Sequence, residues 1–199
     1  MHMSVIAETK KLTSYLNKVQ RKQIPFATSK ALNETAFDVR SSLQAVLPYY
    51  LDRPTKGIIN SVQVDKSKKK KLVATVGFVG DGFRKTKWAV SPAKIMHKHI
   101  VGGTRHPHRR AIAVPVSLKT NRYGNIGRNK INKLMQNKEK HFSGVPKGGK
   151  HPGIYQRMKK GLKMLIAWED KAVYQGGRLP FRKIVTTSIK RNYRRKFDK

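Results

Sequence analysis

The feature that most constrains this 199-residue chain is its positive charge. The chain contains forty-five Lys and Arg residues and ten Asp and Glu residues, which gives a formal net charge of +35. Self-repulsion at this charge opposes compaction unless an anionic partner is close. Nucleic acid, an anionic membrane surface and acidic proteins are the partners that such a composition indicates.

The hydrophobic content and the cysteine count narrow the class of protein. Hydrophobic residues make up 38% of the chain, below the usual range of about 45–50%, so we expect a modest core in a single domain over residues 1–199, with an extended N-terminal segment. No apolar run approaches the roughly 20 residues that span a bilayer, and Met1–Leu12 lacks the apolar stretch of a signal peptide. The absence of cysteine excludes disulfides and thiolate metal sites, and it fits production in the cytoplasm.

The clearest secondary-structure signal lies between two prolines. Pro25 suits the first turn of a helix, and Pro48 is expected to end it. Between them, apolar residues recur at three- and four-residue spacing, which predicts a long helix over 25–47; they are Leu32, Ala36, Val39, Leu43 and Val46.

The remaining pattern predicts an α+β fold. We expect further helices over 4–21, 92–100, 129–140 and 180–195, and strands over 58–64, 72–78, 111–118, 154–155 and 162–168. Pro115 marks its strand as a sheet edge, residues 65–71 form a charged turn, and residues 141–153 form a loop rich in Gly, Pro and Lys. The predicted architecture is a long N-terminal helix, a small and mostly antiparallel sheet, a C-terminal helix and long basic loops.

The basic residues concentrate in segments that are candidates for contact with DNA or a protein partner. Residues 83–138 contain fourteen Lys or Arg and four His but no carboxylate, with Trp88 and Tyr123 among their aromatic residues. Neutralising phosphates needs only such a density of charge, whereas reading bases needs a recognisable module, and none is present. Any nucleic-acid contact should therefore be independent of sequence and sensitive to salt; acidic protein neighbours are an equally open interpretation. The candidate contact residues are Lys68, Lys69, Lys70, Lys71, Arg84, Lys85, Lys87, Arg105, His108, Arg109, Arg110, Lys147 and Lys150.

Patterns that would indicate catalysis or metal binding are weak. Two His-x-His pairs, His97 with His99 and His106 with His108, could converge on a metal if each lay on a strand. No acidic residue lies near them to complete a site, and the local positive charge would repel a cation. Glu34 and Asp38 are one helical turn apart and are expected to offset nearby cations. We therefore predict no catalytic residues, no metal and no cofactor.

Six phrases occur in an order that resembles one protein family. They are 24–36 (IPFATSKALNETA), 50–55 (YLDRPT), 61–64 (SVQV), 102–105 (GGTR), 153–157 (GIYQR) and 193–198 (YRRKFD). This succession spans nearly the whole chain and is similar to the minor tail protein Z family of tailed phages, the tail-completion proteins. The run of lysines at 68–71 and the acid-free segment depart from the family's usual composition.

The resemblance implies a structural virion protein and not an enzyme. Such a protein completes the tail or neck and connects the tail to the head at the head–tail junction, as one copy in a ring around the DNA channel. Its implied partners are other neck, portal-side or tail proteins, further copies of itself and, without sequence specificity, packaged DNA; no membrane is involved. The alternative is a sequence-independent nucleic-acid-binding protein.

Overall fold

The computed structural model describes residues 9–80, 82–85, 87, 90–107, 110–174 and 176–197. It confirms the predicted α+β class, with a long N-terminal helical segment, small antiparallel sheets and a C-terminal helix. The described helices are α1 (Thr9–Lys18), α2 (Ile24–Tyr50), α3 (Lys56–Asn60), α4 (Pro92–Val101), α5 (Lys130–Gln136) and α6 (Phe181–Phe197). The described strands are β1 (Val62–Asp65), β2 (Thr75–Phe78), β3 (Gly103–Arg105), β4 (Ile112–Pro115), β5 (His141–Gly144), β6 (Gly153–Arg157), β7 (Leu162–Glu169) and β8 (Ala172–Tyr174).

The N-terminal helices follow one another without a break. A π-helical segment, Val19–Gln23, joins α1 to α2. The expected stop at Pro48 was wrong, because α2 includes this proline and ends at Tyr50. A proline removes only its own N–H from the hydrogen-bond ladder, and the N–H of Leu51 still donates to the carbonyl of Leu47 at 3.0 Å, which closes the last turn.

The segment after Pro54 begins with a helix where a strand was expected. Thr55 caps α3, since its side-chain oxygen accepts a hydrogen bond from the N–H of Ile58 at 3.3 Å. The strand starts only at Val62, where β1 pairs with β2 in an antiparallel ladder from Val62–Phe78 to Asp65–Thr75. Strand β2 is shorter than the predicted 72–78, because the chain makes a separate turn before it enters the ladder.

The other strands form two further antiparallel sheets. Strand β3 pairs with β8, and a four-stranded sheet has the order β4-β7-β6-β5. Strand β4 is at an edge of this sheet, as Pro115 predicted. The prediction of a loop over 141–153 was wrong at its start, since His141–Gly144 pairs with β6.

The chain divides into two compact units of interleaved segments. The first consists of the described residues within Met1–Val46, Ile59–Ala93 and Pro180–Lys199, and the second of those within Leu47–Ile58 and Lys94–Leu179. In the first unit the stripe of α2 supplies buried side chains at Val39 and Leu43, and the rings of Phe78 and Phe181 lie 5.9 Å apart. The prediction of a single domain stays a prediction.

The four-stranded sheet carries the core of the second unit. Ile154, Leu165 and Ile166 are buried, and partly buried side chains of α5 pack against them. The register between β6 and β7 shifts at Ile154/Tyr155. Leu165, Ile166 and Ala167 are consecutive in β7 and all buried, so both faces of this strand are covered here.

Candidate anion-binding surfaces

The segment Lys66–Lys71, here called the lysine turn, connects β1 to β2 in the first unit. Its backbone closes a two-residue hairpin, because the N–H of Lys68 donates to the carbonyl of Lys71 at 3.0 Å and the reverse bond measures 2.9 Å. The side chains of Lys68, Lys69, Lys70 and Lys71 are all exposed. Four of the predicted contact residues therefore lie on one ordered turn.

Ser67 holds the lysine turn against α2. Its N–H donates to Asn33 Oδ1 at 2.7 Å, and its carbonyl oxygen accepts from Ser29 Oγ at 3.1 Å and from Asn33 Nδ2 at 3.2 Å. Ser67 Oγ also lies 3.1 Å from Ser29 Oγ, and both serines are buried. This network satisfies the polar groups of the turn on one side and leaves its lysines on the other.

Two aromatic rings of α2 lie beneath lysines of the turn. The Nζ atom of Lys69 is 5.0 Å from the ring centre of Phe26, and that of Lys66 is 5.3 Å from the ring centre of Phe37. Both distances are within the range of a cation–π interaction. The contacts fix two of the ammonium groups on the surface of the helix.

Arg84 brings a second predicted basic segment to the same unit. Its Nη2 donates to the carbonyl of Val64 at 2.7 Å, two residues before the lysine turn begins. Arg84 has a left-handed backbone conformation with a φ of 57°, which residues other than glycine adopt only uncommonly. Lys85 and Lys87 are exposed, so the structure places the contacts predicted for 68–71 and for Arg84 on neighbouring chain segments.

The other predicted contact residues belong to the second unit. Arg105 ends β3 and lines a cavity of about 660 Å³ beside β4, together with Asn125, Asn129 and Asn132. Arg110, Lys147 and Lys150 are exposed, but none of these three lines that cavity. His108 and Arg109 lie outside the described residues.

A second cavity, of about 310 Å³, is lined by residues 50–55 together with His99, Tyr123 and Arg178. Residues 50–55 are one of the six segments that resemble the tail protein Z family. Arg53 donates to both carboxylate oxygens of Asp52, at 3.0 and 2.9 Å. The hydrogen bond from Arg53 lowers the pKa of Asp52, and the same contact raises the pKa of Arg53. Burial, and secondly the charge of Arg178, lower the pKa of His99, so this cavity favours the neutral imidazole.

The groups considered for metal binding and catalysis do not converge. His97 and His99 lie on α4, within the helix predicted over 92–100. Residues two apart on a helix point about 200° away from each other, so this pair lacks the strand geometry that convergence on a metal would require. The described residues contain no group of three His, Cys, Asp or Glu that could hold a metal ion. Glu34 and Asp38 both pair with Lys196, at 3.5 and 3.7 Å, a partner that the sequence analysis missed.

An exposed apolar surface, which was not predicted from the sequence, lies at the N-terminal end of the described residues. Residues 9–24, here called the N-terminal arm, include Tyr15, Leu16 and Ile24, whose relative exposures are 60%, 55% and 52%. The arm contains five lysines or arginines and no carboxylate. Its signal in the sequence is a loose apolar face between cations, which is typical of a helix that binds a partner.

None of the described helices combines the length and apolar character needed to cross a membrane. Comparison of the chain with protein-family models, with curated proteins and with solved structures finds no match.

Proposed function

We propose that this protein is a structural component of a tailed-phage virion, which completes the tail or neck and joins the tail to the head. In this proposal several copies form a ring around the DNA channel at the head–tail junction and contact other neck, portal-side or tail proteins. The protein has no catalytic activity and needs no cofactor or membrane. The ordered series of phrases from Ile24 to Asp198, which resembles the tail protein Z family, supports this assignment.

The structural observation that carries the proposal is the N-terminal arm. The arm continues into α2 without a break, and its large exposed apolar side chains are of the kind that marks surfaces covered by other molecules. Tyr15 and Leu16 are both more than half exposed. An arm of this kind is expected in a protein whose exposed apolar surface is covered by its neighbours in an assembly.

The test is deletion of the gene from the parent phage, followed by electron microscopy of the lysate. We expect full heads and finished tails lying apart, with joined infectious particles restored when the protein is supplied in trans. The double substitution Tyr15→Gln and Leu16→Gln should fail to restore joining, because it removes apolar surface while keeping helix-forming residues. Val145→Gln, at an equally exposed loop valine (56%), is the control and should restore joining.

Two outcomes would contradict this proposal in different ways. Normal infectious virions from the deletion phage would exclude the junction role altogether. Full complementation by the arm variant would retain the junction role but remove the arm as its assembly surface.

The lysine turn favours a second candidate function, sequence-independent nucleic-acid binding. If six to ten phosphates are contacted, affinity should fall about 10³–10⁵-fold between 50 and 200 mM salt. A protein ring held by apolar contacts should survive the same change. Salt-resistant oligomers that bind DNA weakly at 50 mM would exclude this second function as the main one.

A further inference from the structure

We propose that the lysine turn is a pre-ordered binding site for the phosphate backbone of duplex DNA, and that Ser29 and Asn33 are its positioning residues. The inference does not depend on the head–tail assignment; it rests on the second candidate function, nucleic-acid binding, and deepens it by naming the site and the form of the ligand. It names one site and one ligand class within a molecule whose cations are spread along almost its whole length.

The lysine turn has a high local density of uncompensated positive charge. The turn contains five lysines within six residues, all exposed. None of the five forms an ion pair with any residue that the structure describes. Asp65 is the adjacent carboxylate in the sequence, and Arg84 adds a guanidinium at the carbonyl of Val64. Duplex DNA offers about one negative charge per 1.7 Å of helix axis, so a compact cluster can neutralise several phosphates at once.

The lysine turn is ordered before any ligand binds. Fixing the backbone of one residue costs about 1–2 kcal/mol, and a mobile run of lysines would bear this cost when it bound DNA. Here the four hydrogen bonds between Ser67 and the side chains of Ser29 and Asn33 are already formed. The Lys68–Lys71 hairpin is closed as well. The cations are therefore presented without an ordering step, which raises affinity without adding charge.

The aromatic rings beside the lysine turn favour duplex DNA over single-stranded DNA as its ligand. Proteins that bind single strands use open aromatic faces on which bases stack. The two aromatic rings beside the turn, Phe26 and Phe37, already have lysine ammonium groups over them. Phe26 and Phe37 remain 55% and 37% exposed, but a base could stack on the ring face that the lysine covers only by displacing its ammonium group. Lysine binds phosphate as a point charge, so this contact carries no sequence preference.

The test measures binding of a labelled 30-base-pair duplex by fluorescence anisotropy, using the full chain, at salt concentrations between 50 and 200 mM. The variant Lys68→Ala, Lys69→Ala, Lys70→Ala and Lys71→Ala removes four charges from the turn. A charge-matched control removes four exposed lysines from the second unit, through Lys159→Ala, Lys160→Ala, Lys163→Ala and Lys171→Ala. Thermal unfolding of each variant confirms that it is folded.

We expect the slope of log affinity against log salt to become shallower by about 3–4 in the turn variant, since each lost phosphate contact removes about 0.9. The control variant should change this slope by less than about 1. Equal changes in the two variants would overturn the proposal, because they would mean that binding depends on total charge alone. Tighter binding of a 30-nucleotide single strand, or equal competition by polyglutamate of the same charge, would overturn the choice of duplex DNA.

A second variant tests the positioning role separately. Asn33→Ala keeps every charge but removes the two hydrogen bonds to Ser67. We expect about tenfold weaker duplex binding at 150 mM salt, which corresponds to losing about 1.4 kcal/mol of pre-organisation. Asn17→Ala, at an exposed asparagine of α1, is the control and should bind normally. Unchanged affinity of Asn33→Ala in a folded protein would refute the positioning role.

Discussion

Replacing Leu43 with alanine should lower the free energy of unfolding of the first unit by about 2–5 kcal/mol. Leu43 is fully buried. The substitution removes three carbon atoms, which accounts for about 2.4 kcal/mol of transfer free energy at 0.8 kcal/mol per carbon, and the remaining cavity adds the rest. For a chain of this size the melting temperature should fall by about 2–4 °C per kcal/mol.

Leu16→Ala is the matched control, because it makes the same chemical change on a helix of the same unit. Leu16 is 55% exposed, so its loss should cost less than about 0.5 kcal/mol. Circular dichroism at 222 nm during heating measures both variants against the unsubstituted chain. If Leu16→Ala lowered the melting temperature as much as Leu43→Ala, the assignment of the buried face of α2 and the exposure of the N-terminal arm would both be refuted.

Three further substitutions test other parts of the structure. Because the pKa of His99 is lowered in the folded protein, the unfolded chain protonates this imidazole at a higher pH than the folded chain does. The free energy of unfolding should therefore be full above pH about 6.5 and fall as the pH drops below it. The substitution His99→Gln should flatten this part of a plot of melting temperature against pH. Gly153→Ala should destabilise the second unit, because a Cβ at this position would collide with a backbone carbonyl of β7. Gly127→Ala is the control and should change the melting temperature little, because its Cβ would meet no atom within 4 Å. Equal effects of the two substitutions would contradict the close approach of β6 to β7. Lys196→Ala removes the ion-pair partner of two carboxylates of α2. It should lower the free energy of unfolding by no more than about 1 kcal/mol, since such partly exposed pairs contribute little. A larger loss, measured by chemical denaturation, would contradict this assignment of the ion pairs as partly exposed.

The helices could be predicted where their apolar residues repeat over several turns. The stripe that includes Val39 and Leu43 defined α2 to within three residues at each end, because burial along a long helix depends on local spacing. Strands β3 and β8 were not predicted, since each has only three residues and pairs with a segment far away in the sequence. Length and alternation carry too little information in such strands, and their partners become visible only in the folded chain.

The candidate site was predictable as a composition but not as an ordered structure. Four consecutive lysines indicate exposure in any fold, and the sequence placed them correctly between β1 and β2. Their ordering depends on Ser29 and Asn33, which are 38 and 34 residues away from Ser67. These two residues are one helical turn apart on α2, but nothing in their spacing identifies the backbone that they bind.

The distribution of the carboxylates explains how such a cationic chain can fold and still present a charged surface. Glu34 and Asp38 both form ion pairs with Lys196 of α6. Asp52 forms an ion pair with its neighbour Arg53. With ten carboxylates against forty-five cations, pairing can compensate only a minority of the positive charge. The lysine turn is stabilised without ion pairs to carboxylates of the described residues. Neutral hydrogen bonds hold its backbone, and two of its ammonium groups lie over aromatic rings. Neither interaction reduces its net charge, so the fold orders these lysines while leaving their charge available to an anionic partner.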